Sequence, residues 1–295
     1  GNVNVARKDI RFAIDAGNGA GGPQALAAMQ AAGLSPVALL CDMDGNFPVH
    51  HPDPSDPHTL ELLRDTVLSQ GLELGIAFDG DADRIGVIDA RGDIIWGDKL
   101  LIVLSRALLL DHPGAAVLGE VKCSQTLYDD IAQHGGRPIL WKTGHSLIKA
   151  KMKEEGALLA GEMSGHVFFA DRFFGFDDAV YAALRLLEIV AASDRPLHEL
   201  LADVPLTFST PELRVDCPDD EKFDVVTKVL ARFRPTNDVV EVDGARILFD
   251  GGWGLVRASN TQPVLVMRFE AQSEARLAEI RREVEDAVSA IRAAG

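Results

Sequence analysis

The chain has 295 residues, of which 47% are hydrophobic and 25% charged, a length and usage that suit two or three folded domains and exclude an intrinsically disordered chain. Its formal net charge of -16 excludes a general affinity for nucleic acid or anionic membrane, since both need a positive surface field. The longest apolar stretch, "LLIVLSRALLL" at 100–110, is too short for a bilayer, and the scattered Cys41, Cys123 and Cys217 suggest neither a disulfide framework nor a zinc site.

The three scattered cysteines fit a reducing cytoplasm, the expected location, and the start, "GNVNVARKDIRF", lacks the charged-then-apolar order of a signal peptide, so export is not indicated. Along the chain come a strand ("RFAIDA"), a glycine-rich turn ("GNGAGG") and a helix from Pro23 to about Ala32, with Gly33 as its stop. The run "PVALLC" leads into the Pro, His and Asp-rich loop "DMDGNFPVHHPDPSDPHT". "LELLRDTVLS" has helical spacing and is followed by the strands "LELGIAF" and "RIGVID" around an acidic loop. The alternation then restarts: helix 98–111, strand "AAVLGEV", helix 124–134, strand "RPILWK", helix 145–155, strand "ALLAGEM" and helix 177–192. After a linker near "DVPLTFSTPE", short strands ("ELRVDC", "DGARILFD", "GWGLVRAS", "VLVMRFEA") and two charged helices replace it. The expected fold class is therefore α/β: two mixed or parallel sheet domains, 1–93 and 94–205, then a smaller α+β domain, 206–295.

Three loops carry chemistry. In "FDGDADR", Asp79, Asp81 and Asp83 alternate with the small Gly80 and Ala82. Alternate residues of a straight strand lie roughly 6.6 Å apart, so the chain must curl if all three are to reach one hard cation such as Mg2+. A solvated acidic turn is the other reading of a DxD; three alternate aspartates followed at once by Arg84 favour the metal. An EF-hand does not match, because its glycine would fall at Arg84 and its bidentate Glu at Ala90. In "GEMSGH", Glu162, Ser164 and His166 share one side if extended and could bond to sugar hydroxyls. Standing alone, this segment reads as a glycine-rich turn. "RASNTQP" at 257–263 has the composition of a phosphate cradle, yet also that of a polar hairpin loop, and residue type leaves both open. Lys122 in "GEVKCS" and Lys142 and His145 in "KTGHS" lie in segments just after a strand, where α/β sheets place ligand residues, although a lysine there is more often merely solvent-exposed. The GxGxxG match at Gly17, Gly19 and Gly22, with Asp42 further on, is read as a tight turn rather than a dinucleotide site, and "VHHPDP", whose histidines could bind metal, as a rigid loop because prolines flank them.

Together "FDGDADR", "GEMSGH" and "RASNTQP" resemble the metal-, sugar- and phosphate-binding loops of the α-D-phosphohexomutases, in particular the bacterial phosphomannomutase/phosphoglucomutase group. "DAGNGAGG", "HHPDP", "VKCS" and "KTGHSLIK" are similar too, in the family's order and over nearly the whole chain. The resemblance implies four domains around a cleft, with a phosphoserine on the first that exchanges its phosphoryl group with a hexose phosphate through a bisphosphorylated sugar. It implies Mg2+ on Asp79, Asp81 and Asp83, with Arg84 beside the phosphoserine. Glu162 and Ser164 would hold the hydroxyls of mannose or glucose 1- or 6-phosphate. Arg257, Ser259, Asn260 and Thr261 would hold the phosphate that is not reacting, helped by Lys122, His145 and His166.

The family's serine loop, of the form TASHNP, is absent from these 295 residues. The expectation is a fragment comprising the second, third and fourth domains, whose missing partner is the N-terminal domain of the same protein. It would bind Mg2+ more weakly and be inactive alone. Two other classes fit parts of the sequence: a phosphatase or phosphotransferase of haloacid-dehalogenase type with Asp79 as nucleophile, and a non-catalytic sugar-phosphate binding module.

Overall fold

The computed structural model describes residues 2–293. They divide into two compact units, one running to Leu140 and from Gly144 to Val204, the other comprising Trp141–Thr143 and the chain from Pro205 onward.

The first unit opens with β1 (Phe12–Asp15), α1 (Gly21–Ala31), β2 (Val37–Leu39), α2 (Glu61–Gln70), β3 (Leu74–Phe78), β4 (Ile85–Asp89) and β5 (Ile94–Ile95). The strands form one sheet in the order β2-β1-β3-β4-β5. β1 runs parallel to β2 and β3, while β3, β4 and β5 are antiparallel in sequence. β1 and β3 are buried along their length, which is why they read as near-continuous apolar runs, ended in β1 by the buried Asp15: a sheet covered on both faces hides both sets of side chains. The period of two is still visible in which core each residue joins. Ala13, Ala77 and Ile88 pack with Leu63 and Val67 of α2. Their neighbours Ile14, Ile76 and Val87 belong to a larger core on the other face.

That larger core continues into a second sheet. α3 (Gly97–Asp111), β6 (Ala116–Glu120), α4 (Gln125–Gln133), β7 (Arg137–Trp141), α5 (His145–Glu155), β8 (Leu159–Gly161), β9 (Val167–Phe169) and α6 (Ala179–Ala192) follow, with strand order β7-β6-β8-β9. Leu101 and Leu104 of α3, Leu159, Phe169, and Leu186 of α6 join Ile14, Ile76 and Phe78 in one cluster. The boundary drawn at 93/94 from the sequence thus lies inside a single compact unit.

Local differences from the sequence reading have physical causes. α1 begins at Gly21 rather than Pro23, and a side chain at Gly22 would put a Cβ 2.3 Å from the Cys41 carbonyl oxygen. The glycine-rich stretch therefore serves close packing. β9 escaped notice because three residues after a turn carry too little periodic signal; it pairs antiparallel with β8.

The second unit contains β10 (Phe208–Ser209), β11 (Leu213–Asp216), α7 (Lys222–Phe233), β12 (Val239–Val240), β13 (Ala245–Phe249), β14 (Gly252–Ala258), β15 (Val264–Ala271) and α8 (Glu274–Ala293). Its sheet is antiparallel, ordered β10-β15-β14-β13-β12, with β11 also on β15. Val229 and Phe233 of α7 and Ile280 and Val284 of α8 cover one face through Ile247, Val256, Leu265 and Phe269. This is the expected α+β pattern. No helix among the described residues is long and apolar enough to cross a membrane.

Candidate functional site

The acidic loop joins β3 to β4, and it curls. Ala82 takes the left-handed conformation, φ 61°, and its N–H donates to the Asp79 carbonyl at 3.2 Å. Asp79, only 2% exposed, organises the loop through its carboxylate. Oδ1 accepts from the N–H groups of Asp83 (3.0 Å) and Arg84 (3.1 Å), and Oδ2 from Arg84 Nε at 2.8 Å. Arg84 Nη1 reaches on to Asp53 Oδ1 at 2.9 Å. The carboxylates of Asp79, Asp81 and Asp83 each place one oxygen within 4.8 Å of the others. A straight strand could not do this, so the curl anticipated from the small spacers is present.

Three convergent carboxylate oxygens are a donor set suited to a hard divalent cation. Electrostatics agrees: burial, then the hydrogen bond and charge of Asp79, push the Asp83 carboxyl up to about 6. Between the ordinary carboxylate value and that point the folded chain binds more protons than the unfolded one. The stability Asp83 contributes in the absence of a cation is therefore complete at acid pH and lost as pH rises through about 6. A cation in the loop reverses the penalty. Mg2+ should accordingly raise the melting temperature more at about pH 8 than at about pH 5, which thermal unfolding with and without the ion will check.

The second loop is stitched to the first by backbone. Arg84 and His166 form an isolated antiparallel bridge, and the Ile85 N–H donates to the Gly165 carbonyl at 3.0 Å. "GEMSGH" is not extended: the Gly165 N–H donates to the Glu162 carbonyl at 3.1 Å, and the Glu162 N–H to that of His166 at 2.9 Å. This tight turn still brings the three side chains together. Glu162 Oε2 lies 2.8 Å from His166 Nδ1, and Ser164 Oγ 3.1 Å from the same nitrogen. The Gly144 N–H donates to Glu162 Oε1 at 2.7 Å. Burial opposes ionisation of both partners, but their mutual attraction wins, holding Glu162 below its usual range and raising His166. His166 Nε2 sits 3.4 Å from Asp83 Oδ2, so the loops meet through side chains as well.

The remaining candidates of this unit lie around that junction. Asp177 pairs with His145 Nδ1 at 3.2 Å and with Lys149 Nζ at 3.1 Å. Lys122 is buried, its Nζ 3.9 Å from Glu120 Oε1; its charge helps keep Glu162 ionised. Asp53, Glu120, Lys149 and Asp177 were not singled out in the sequence. Asp53 and Lys149 do fall within "HHPDP" and "KTGHSLIK", the stretches that joined the resemblance.

In the second unit, "RASNTQP" runs from the end of β14 through the turn into β15, so the hairpin reading of its backbone holds. Arg257 is buried, and its Nε donates to Asp243 Oδ2 at 3.0 Å. Ser259 Oγ accepts from the N–H groups of Thr261 (3.3 Å) and Gln262 (3.2 Å). Asn260 and Thr261 are exposed at the tip. A held guanidinium beside a turn with backbone donors is also what a cradle needs.

Models of phosphoglucomutase/phosphomannomutase match residues 2–92 (alpha/beta/alpha domain II), 96–208 (alpha/beta/alpha domain III) and 212–287 (C-terminal domain). A phosphomannomutase/phosphoglucomutase of Pseudomonas putida is 47% identical over 283 residues, covering 95% of this chain and 61% of the relative. A crystal structure of a phosphoglucomutase/phosphomannomutase family protein from Burkholderia thailandensis superimposes with a TM-score of 0.92 at 43% identity, covering 98% of this chain and 62% of that one. An N-acetylphosphoglucosamine mutase of Aspergillus fumigatus, solved with GlcNAc-6P and magnesium, shares the fold at a TM-score of 0.70 and 16% identity, over 97% of this chain and 66% of that one. The chain spans about three fifths of the length of the curated relatives it matches, 61% for the Pseudomonas putida protein. With all three of its segments matched in order, the chain belongs to the phosphoglucomutase/phosphomannomutase family.

Proposed function

We propose that these residues form the metal- and sugar-phosphate-binding part of a phosphohexomutase, which reversibly interconverts hexose 1-phosphates and 6-phosphates of mannose or glucose through a bisphosphorylated sugar and a phosphoserine. Residues 1–93, 94–205 and 206–295 are read as the second, third and fourth domains, working in the cytoplasm. The observation that carries the reading is the junction of the two loops, where Asp79, Asp81, Asp83 and Arg84 are joined to Glu162, Ser164 and His166 by backbone and side chain.

On this reading Asp79, Asp81 and Asp83 hold Mg2+, which when bound neutralises charge on the phosphoryl group in transit. Arg84, fixed between Asp79 and Asp53, presents a preorganised positive charge beside the phosphoserine. Glu162 accepts from sugar hydroxyls and Ser164 donates to or accepts from them. Arg257, Ser259, Asn260 and Thr261 grip the phosphate that is not transferred, with Lys122, His145 and His166 adding positive charge. Loss of Arg257 tests that grip. Arg257→Ala should weaken glucose 1-phosphate binding about 10- to 100-fold, and Arg257→Lys by less, because an ammonium keeps the charge but not the paired donors.

No residue of this chain sits in a TASHNP setting, so the 295 residues alone should bind hexose phosphate without turning it over. The test is a coupled assay of glucose 1-phosphate conversion beside calorimetric binding. Binding without conversion, with conversion restored by adding a phosphoserine-bearing domain, supports the proposal. Conversion by the chain by itself overturns the assigned inactivity, and absence of binding overturns the assigned site.

A further inference from the structure

We propose that Asp83, His166 and Asp177 form a second divalent-cation site, for a borderline transition ion such as Zn2+, which shares Asp83 with the three-aspartate loop but differs from it in chemistry. The three residues each offer one ligand atom within 4.8 Å of the others. The Asp83 and His166 side chains are 30% and 18% exposed, which opens the group to an ion from their side, whereas the Asp177 side chain is 9% exposed and forms its inner wall. They come from three segments: the acidic loop, the turn before β9 and the loop before α6. Their convergence is a product of the fold and is invisible in sequence spacing.

The donor set separates the two sites. Three carboxylates suit Mg2+, whereas an imidazole nitrogen with two carboxylates suits Zn2+, Co2+ or Mn2+ and has little attraction for Mg2+. The ring is already oriented for the purpose. Glu162 Oε2 lies 2.8 Å from Nδ1, while Nε2 faces Asp83 Oδ2 at 3.4 Å. A carboxylate bound to the non-ligating nitrogen is the arrangement that fixes the tautomer and raises the basicity of metal-binding histidines. Glu162 itself is 4% exposed and held in place by the Gly144 N–H.

Other charges face the site. Lys149 Nζ contacts Asp177 Oδ1 at 3.1 Å and opposes a cation there; its side chain is 34% exposed, so it can swing into solvent. His145 Nδ1 contacts Asp177 Oδ2 at 3.2 Å, and its ring centroid is 6.1 Å from that of His166. His145 thus braces Asp177 from beside the group of three. An ion so held would occupy Asp83 and His166 together, and Zn2+ would therefore compete with Mg2+ at the shared carboxylate.

The site is defined by residues of the first unit and does not depend on the mutase reading. Calorimetric titration of the full chain with ZnCl2 and with MgCl2 tests it. Asp177→Asn and His166→Gln should each weaken Zn2+ binding about tenfold or more, while Asp177→Asn leaves Mg2+ binding within about twofold. Asp81→Asn should do the reverse, and its effect on Mg2+ tests the three-aspartate loop separately. Should either variant fail to fold, the wild-type chain gives the same answer: substoichiometric Zn2+ must shift the Nε2 resonance of His166 in nitrogen-15 spectra. Zn2+ affinity that falls with Asp81→Asn but ignores both Asp177→Asn and His166→Gln, or an Nε2 resonance that does not move, overturns the proposal.

Discussion

Asp79→Ala is expected to lower the unfolding free energy by about 2–4 kcal/mol and to abolish Mg2+ binding, although Asp81→Ala, which removes a carboxylate of the same motif, should cost less than about 0.5 kcal/mol. The difference lies in burial and partners. Asp79 is 2% exposed and accepts from two backbone N–H groups and the Arg84 guanidinium, all of which its loss leaves short of an acceptor. Asp81 is exposed and does nothing comparable. Arg84 keeps Asp53, and the repulsion on Asp83 is relieved, so the loss falls short of that for an isolated buried pair. The relief has its own signature: the Asp83 carboxyl should titrate below about 6 once Asp79 is gone. Urea denaturation of both variants, with Mg2+ titration alongside, separates the two roles. Equal destabilisation would show that the loop is not built around Asp79.

Gly165→Ala should be nearly as damaging, at about 2–4 kcal/mol. Gly165 has φ +102°, and a Cβ there would stand 2.4 Å from the Ile85 carbonyl oxygen and 3.2 Å from its nitrogen. Both atoms belong to the backbone of β4, inside a five-stranded sheet, and neither can retreat as a side chain would. The added methyl also drives apart the Ile85 N–H and the Gly165 carbonyl that join the two loops. On the proposed function, glucose 1-phosphate affinity should therefore fall along with stability. Gly45→Ala is the control, because a Cβ at Gly45 meets nothing within 4 Å. If the two alanines behave alike in denaturation, the junction is not rigid.

Much of this was legible in the sequence, for reasons that differ by element. β1 and β3 were visible because both their faces are buried, and the curl of the acidic loop because the small Gly80 and Ala82 permit it and three alternating carboxylates followed by Arg84 favour a shared cation over a solvated turn. What could not be read was pairing at a distance. Asp53 meets Arg84 across 31 residues of chain and Asp177 meets His145 across 32, and no local pattern records either. The turn at Glu162–His166 was half legible: its residues were named, but their meeting depends on a positive-φ glycine wedged against β4. For Arg257 the composition left cradle and hairpin equal. The structure adds Asp243, which steadies the guanidinium from the turn before β13 and has no sequence signal of its own.

The core that passes from the first sheet into the second has a consequence for how the protein comes apart. α6 packs on α1, α3, β3 and β4 as well as on β9, so removing either half strips apolar cover from the other. The two sheets should then melt in one cooperative step, as a single foldon rather than two. A protease nick in the stretch around 93 would leave the halves clasped together, and residues 2–92 made alone would aggregate.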